Sequence, residues 1–464
     1  MRLLVSSHIH IHNYHSVKKL IQTIKNIWSI EELRGKIIVT LTLILIYRVG
    51  VHIVLPGIDP NKLVNVENNA SSNGLLGLFD TFAGGAFSHA SIFALGVMPY
   101  ISASIFMQLM TILVPQMQKV QKEGESGRKK INQWTRYLTI LVTMLQSSAY
   151  VAYLQTPGYR EAMIPAYQPY FFLSTIIVLT AGTLFVMWLG EKIQDKGLGN
   201  GISIIIMIGI LGRLPQSVIQ EFVAKQAKGG GGLLIFMIEI AFLIAIIMGL
   251  IILVQGVRKV PVNYAKQIIG NRQFGGARQF LPLKVNAAGV MPIIFAQAIM
   301  FLPTLFSFTN LDSAQGIVNI FTHHENAWYM VIYAVMVIGF TFLYTALIFN
   351  PKQMSEDLKR NNGFIPGVKP GQPTADYIGA IMDRITLPGA FFLAIVGILP
   401  GFAQRLGVTQ LFSTFFGGTS LLIMVGVILD TLQQIETHLL MRQYDGLMKG
   451  GRIQGRQAIS SASY

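Results

Sequence analysis

The chain has 464 residues, 52% of them apolar and 12% charged, about half the charged share of an ordinary soluble protein. That composition excludes a single soluble domain, because at ~20 apolar residues per membrane-spanning helix it supplies enough for ten spans. An excess of 36 Lys and Arg over 21 Asp and Glu gives a net charge of +15, so the segments outside the membrane are basic; the absence of cysteine excludes disulfides and thiolate metal sites.

Residues 1–30 form an N-terminal extension carrying His8, His10, His12 and His15, with no apolar core of a signal peptide. The histidines admit a metal site; the plainer reading, taken here, is a cytoplasmic extension. Ten apolar segments follow, at roughly 36–56, 91–114, 137–155, 169–190, 199–220, 232–255, 285–308, 327–349, 386–403 and 410–430. The first contains Arg48, read as a structural cation paired with backbone or a polar neighbour; the fifth contains Arg213 and the sixth Glu239, read as facing a partner or the interface. Between the first two lies a Gly-rich stretch whose apolar part, Leu75 to Phe82, is too short to span. It predicts a re-entrant half-helix over about 73–86, which lipid tolerates only where it is buried in protein or lines a cavity. The run Gly197–Gly201 reads as a helix break with Asn200 as the N-cap of the fifth span, and Gly124–Lys130 as a basic hairpin tip.

Counting Lys and Arg by loop fixes the orientation. With the N-terminus inside, 29 of the 36 basic residues fall on the cytoplasmic side, and Lys62, Arg160, Arg213, Lys225, Lys228 and Arg405 fall on the other, with Arg48 inside a span. Both termini are then cytoplasmic. The tetrapeptide Gly-Val-Met-Pro occurs at Gly96–Pro99 in the second span and Gly289–Pro292 in the seventh. Each is the second helix of a five-helix half, and the two run in opposite directions, the arrangement of an inverted-topology repeat. The division is residues 31–221 with spans one to five, 222–436 with spans six to ten, and a cytoplasmic tail over 437–464, flexible after Asp445. Proline in mid-span predicts kinked helices where the halves meet. The fold class is all-α: a polytopic membrane protein of ten helices with a short re-entrant helix.

No catalytic constellation emerges: neither a nucleotide-binding P-loop nor a metalloprotease or serine-hydrolase motif is present. Ion-coupled carriers usually place carboxylates or histidines at mid-membrane, and only Glu239 and Asp430, near a helix end, qualify. This leaves an ion-coupled transporter or a passive channel as alternatives, with the shortage of intramembrane acids favouring the channel.

Several strings resemble the SecY family: Ser91–Ile105, Lys122–Arg128, Gly199–Ile206, Leu281–Asn286, Phe349–Pro351 and Phe416–Ile423. The resemblance extends from about Ile30 to Gly446. It implies the large subunit of a bacterial protein-conducting channel in the inner membrane, which passes unfolded secretory polypeptides and releases transmembrane segments sideways into lipid, with no enzyme activity and no cofactor. It implies an aliphatic pore ring at Val97, Ile101, Ile202, Ile206, Ile294 and Ile423, and a plug including Leu75, Leu76, Leu78, Phe79 and Phe82. A narrow apolar ring suits the task because it dewets and blocks ions. The resemblance also implies a lateral gate at spans two and seven, with Pro99, Ser102 and Pro292; Gln146 is either a polar gate residue or a hydrogen-bonded packing residue. The implied partners are SecE and SecG, the motor ATPase SecA, the ribosome, signal-bearing preproteins and anionic lipids. The implied docking residues are Arg258, Lys259, Lys266, Arg272, Arg278, Lys359, Arg360 and Lys369, although basic loops of this kind also serve topology alone. Lys369 stands where the family typically has Arg; it keeps the charge and loses the bidentate fork.

Overall fold

The computed structural model describes residues 28, 30–63, 80, 82–155, 157–164, 168–227, 231–264, 267–269, 272–274, 278–305 and 326–449. Leu75, Leu76, Leu78, Phe79, Lys266 and the four N-terminal histidines lie outside them. The helices are α1 Glu31–Val51, α2 Met98–Leu113, α3 Pro115–Lys122, α4 Glu125–Leu154, α5 Gln168–Lys196, α6 Gly201–Gln226, α7 Gly232–Gln255, α8 Met291–Leu305, α9 Ala327–Ile348, α10 Pro351–Arg360, α11 Gln372–Arg405 and α12 Gly418–Lys449. Among the described residues, seven are long and apolar enough to cross a membrane, and eight if the pair α2 and α3, bent by 102°, is one span. Two predicted spans fall outside that count. The helix α1 carries five charged residues, and the described part of α8, Met291–Leu305, has 15 residues, fewer than the ~20 that cross the hydrocarbon.

Local chemistry sets where these helices begin. Asn200 caps α6, its side chain accepting from the Ser203 N–H at 3.3 Å, as the sequence predicts. The Gly-Val-Met-Pro repeat departs from expectation. In both copies the glycine takes positive φ, +52° at Gly96 and +64° at Gly289, and a helix starts two residues later, at Met98 and Met291. Proline therefore sits in the first turn, where its missing N–H removes no bond, and starts a helix instead of kinking one. The expected hairpin tip is also different: Gly124, at φ +77°, precedes α4, whose first turns carry Arg128, Lys129 and Lys130. The expected tail begins inside α12, which continues to Lys449.

The helices pack around two apolar clusters. The first gathers α1, α4, α5 and α6 with Ile423 and Val427 of α12; the second gathers α7, α8, α9 and α11 with Leu421, Leu422 and Val425 of α12. Met207 and Val290 pack against both. The outward faces remain apolar. In α7, for example, Leu233, Leu234, Met237, Ile238, Met248 and Ile252 are all exposed, as befits a helix whose solvent is lipid.

The segment between α7 and α8 contains strands that the sequence reading does not anticipate. Strand β1, Val257–Tyr264, pairs antiparallel with β4, Arg278–Lys284, in a register of Val260 opposite Leu281. Between them β2, Gln267–Ile269, pairs with β3, Arg272–Phe274. A short strand β5, Gly363–Phe364, joins the far end of β1 at Asn263 and Tyr264. Val260, Val262 and Leu283 then meet Leu358, Ile365, Ile378 and Met382 in a separate apolar cluster. Two connections distant in sequence thus form one unit.

At the C-terminal end of α6, three buried charges join it to α7 and to the turn after α11. Lys225 Nζ reaches Glu239 Oε1 at 2.8 Å and Glu221 Oε1 at 3.3 Å, and donates to the Gly407 carbonyl at 3.0 Å. Glu221 Oε2 accepts from the N–H of Thr409 at 2.8 Å and from its hydroxyl. Gly232 permits the approach of α7, since a Cβ there would run into the Lys225 carbonyl. Glu239 is therefore paired inside the protein, a correction to its expected outward role, and Lys225 belongs to a helix instead of a basic loop. Removing one partner from a buried ion pair costs about 3–5 kcal/mol. Lys225→Met should accordingly lower the thermal unfolding midpoint in detergent, with partial recovery when Glu221→Gln and Glu239→Gln are added; an unshifted midpoint for the single variant would show that the cluster stabilises nothing.

Candidate functional site

Five of the six aliphatic positions belong to the first apolar cluster, the large core shared with α1, α4 and α5. Val97, Ile206 and Ile423 are buried in it, and Ile101 and Ile202 pack against it. Ile294, half-buried on α8, is not among the side chains packed there. The placement follows from helix geometry. Val97 is the N-cap of α2 and Ile101 lies one turn on; Ile202 and Ile206 are four apart, on one face of α6; α6 packs along α12, which carries Ile423. All five are β-branched, so their χ1 angles are stiff and their methyl groups fill space close to the backbone.

Beside this cluster runs non-helical backbone over 83–97, preceded by Asp80 and Phe82, which are helical. Its polar groups are met by side chains of neighbouring helices. Tyr47 donates to the Ala83 carbonyl at 3.4 Å and Arg48 to that of Gly84 at 3.5 Å. Tyr150 donates to the Phe87 carbonyl at 2.7 Å and Tyr159 to that of Ser88 at 3.5 Å. Arg48 is thus the backbone-paired structural cation that the sequence suggests. Asp80 Oδ1 accepts from the Ser88 N–H at 2.8 Å, its other oxygen pairs with Arg213, and Arg213 donates to Ser88 Oγ at 2.6 Å. Asp80, Ser88 and Arg213 are all buried. The backbone also touches α6 directly: a Cβ on Gly209 would lie 2.7 Å from the Phe82 carbonyl oxygen, and one on Gly84, at φ +67°, would lie 2.9 Å from Gly209 Cα. Phe82 itself is half-buried against the first cluster.

Of the gate positions, Pro99 and Pro292 are buried, Gln146 is half-buried on α4, and Ser102 is exposed, its hydroxyl donating to the Met98 carbonyl at 3.1 Å. A cross-half hydrogen bond comes from residues the sequence reading passed over: Tyr344 on α9 donates to Gln108 Oε1 on α2 at 3.0 Å. Nearby, Phe295 of α8 stacks on Phe340 of α9. A glutamine inside a charge-free span was the available signal.

Arg258 and Lys259 on β1, Lys359 and Arg360 at the end of α10, and Lys369 after β5 are all exposed. The β4-β1-β5 sheet joins the segments that carry them, with Arg278 in β4, while Arg272 lies in β3 of the separate β2–β3 pair.

Sequence reading also missed Asp80, Arg213 and Glu221 as buried partners. Arg213 was assigned to the external side, and Glu221 fell one residue past the predicted fifth span. The available signal was electrostatic, since a cation flanked by apolar helix requires a counter-charge.

Long helices with apolar outer faces, packed around irregular backbone whose carbonyls find partners in protein, together with a basic sheet-bearing unit, define a multi-pass membrane protein. The SecY family model matches residues 91–432. A curated relative, "Protein translocase subunit SecY" of Streptomyces galbus, is 39% identical over 429 residues, which is 90% of this chain and 97% of that one. The solved "structure of a protein conducting channel" aligns with a TM-score of 0.60 at 14% identity, covering 92% of this chain and 95% of the other. Sec61 in the canine ribosome-channel complex aligns at 0.57 and 14% identity, with the same coverage. The chain belongs to the SecY family.

If the β-branched knot is what keeps ions out, thinning it must let them through. The double variant Ile101→Gly, Ile206→Gly should raise the resting ion conductance of reconstituted vesicles several-fold; unchanged conductance would remove both residues from the seal.

Proposed function

We propose that the chain is the central subunit of a bacterial protein translocation channel: a passive, gated pore for unfolded polypeptide that also releases transmembrane segments sideways into lipid. The placement of Val97, Ile101, Ile202, Ile206 and Ile423, from α2, α6 and α12, in one apolar cluster supports this reading. An aliphatic constriction dewets and excludes ions, while side chains without hydrogen-bonding demands close around any passing sequence. The names of the relative and of the solved neighbour support it, the one a translocase subunit and the other a protein-conducting channel.

In full, the reading is ten spans in two inverted five-helix halves, with α1 and α8 as the first and seventh. The sixth ring position is Ile294, the plug lies over about 73–86, and the lateral gate runs along α2 and α8 with Pro99, Ser102, Gln146 and Pro292. Both termini face the cytoplasm of a bacterial inner membrane. The channel catalyses no covalent reaction and needs no cofactor. Energy comes from SecA or the ribosome, docking on Arg258, Lys259, Lys266, Arg272, Arg278, Lys359, Arg360 and Lys369; SecE, SecG and anionic lipids complete the assembly. The exposure of the described basic side chains on one unit and the ribosome-bound state of the canine neighbour support this docking face.

The competing reading, an ion-coupled carrier, requires a titratable site that opens and closes. The buried acids Asp80, Glu221 and Glu239 are instead each paired with Arg213 or Lys225, which leaves the centre aliphatic.

Two experiments test the proposal. Vesicles containing this chain with SecE, SecA and ATP should import a signal-bearing preprotein; failure to import, together with uptake of a small solute by the chain alone, would overturn the channel reading. Reversing the charge at Arg258 and Lys259 should weaken SecA or ribosome binding, and raising the salt should erode wild-type binding by screening the same contacts. Wild-type affinity in the reversed variant would reduce those residues to topology signals.

A further inference from the structure

On the channel reading, which this inference extends, the seam that opens to lipid lies between α2 of one half and α8, with its packed neighbour α9, of the other. Among the described residues α2 packs along α4 and not along α9. The bridge between α2 and α9 is a pair of long polar side chains, the Tyr344 hydroxyl donating to Gln108 Oε1 at 3.0 Å. Gln108 lies within a turn and a half of the end of α2 at Leu113, and Tyr344 within a turn and a half of the end of α9 at Ile348. The bond therefore sits at one mouth of the seam, the cytoplasmic one on this reading, where an incoming segment arrives first.

The ring of Tyr344 is held in place by other contacts. The residue is 6% exposed, and its ring lies tilted against Phe295 of α8, with centroids 6.1 Å apart. Phe295 in turn stacks on Phe340, one turn earlier on α9, at 5.8 Å. The hydroxyl is thus aimed at α2 by carbon contacts that the bond itself does not supply. Parting the seam separates a phenol from an amide where few other partners exist. A helical segment entering there offers apolar contact along its length and no backbone donor or acceptor. Only its apolar surface can offset the lost bond, so the bond sets a lower limit on how apolar that surface has to be.

We propose that the Tyr344–Gln108 bond is a selectivity latch: it stays closed against weakly apolar segments and parts for strongly apolar ones, which makes these two residues determinants of which polypeptides the channel admits. Neither belongs to the apolar cluster of Val97, Ile206 and Ile423, so the latch can be removed without thinning the seal.

The test uses the full chain in vesicles with SecE, SecA and ATP, and two preproteins, one with an ordinary signal and one with a signal of reduced hydrophobicity. Tyr344→Phe removes the hydroxyl and leaves the ring on Phe295; Gln108→Leu removes the acceptor at similar size. Each variant should import the weak-signal preprotein about three-fold better, the factor that one hydrogen bond of average strength between membrane helices is worth, with ordinary import and resting ion conductance unchanged. The double variant should match the singles, because both remove the same bond. Unchanged or lower import of the weak-signal preprotein, or a double variant that gains the product of the two single gains, overturns the latch. A rise in resting conductance would trace the gain to a loosened pore and overturn it as well. If either single variant fails to accumulate, a tether decides: Gln108→Cys and Tyr344→Cys, placed together in a chain that has no other cysteine, are joined by a short cleavable thiol reagent. Import should stop when the tether is formed and return when it is cut; import that persists under the tether overturns the proposal. Failure of the unmodified chain to import the ordinary preprotein would overturn the channel reading itself, and is distinguishable because it precedes any substitution.

Discussion

The structure depends on one constraint: backbone that is not helical, placed among membrane helices, must find every hydrogen-bond partner in protein. The stretch from Ala83 to Val97 is such backbone. Its carbonyls are met by Tyr47 and Arg48 of α1, Tyr150 of α4 and Tyr159 of the following turn, which explains why three tyrosines and an arginine point inward from otherwise apolar elements. Because this stretch is fixed, α2 starts at Met98. That start places Val97 at the helix entrance and Ile101 one turn deeper, on the apolar knot.

A second consequence concerns charge. A low count of charged residues does not mean an uncharged interior; five ionised side chains are buried among the described residues, Asp80, Arg213, Glu221, Lys225 and Glu239. Each is held by another at a junction between elements: Asp80 and Arg213 tie irregular backbone to α6, and Lys225 ties α6 to α7 and to the turn after α11. Ionic pairs used this way fix which surfaces meet, since any other arrangement leaves a charge unpaired. None of the five belongs to the apolar cluster that holds Val97, Ile206 and Ile423.

What was legible in the sequence followed from local rules. Asn200 as a cap, the apolar runs of α6, α7 and α9, and the Gly-Val-Met-Pro repeat as a structural correspondence all depend on residues close in sequence. The repeat was misread only in its consequence, because proline was judged without the positive-φ glycine that turns it into a helix start. Contacts over long separations were not legible. Asp80 and Arg213 are 133 residues apart, and nothing in either neighbourhood names the other. The strands β1 and β4 were obscured by Pro261 and Pro282, which argue against a sheet interior. The topology removes the conflict: β4 is an edge strand, and β1 has β5 beside it only at Asn263 and Tyr264, so Pro261 faces a free edge.

The described contacts between the halves are unequal, and this bears on how a channel of this kind would part. On one side, α6 meets α7 and α12 along the bundle and is joined to α7 and the Gly407–Thr409 turn by three buried charges. On the other, α2 reaches α9 through the neutral bond from Tyr344 to Gln108. Hydrogen bonds between membrane helices average about 0.6 kcal/mol, whereas breaking a buried ion pair by removing a partner costs about 3–5 kcal/mol. The charged junction at the end of α6 and the neutral bond between α2 and α9 therefore differ in what each costs to disrupt. On the channel reading, sideways release into lipid calls for a seam that parts more easily than the rest of the wall, and the neutral bond from Tyr344 to Gln108 is the weaker of these two junctions.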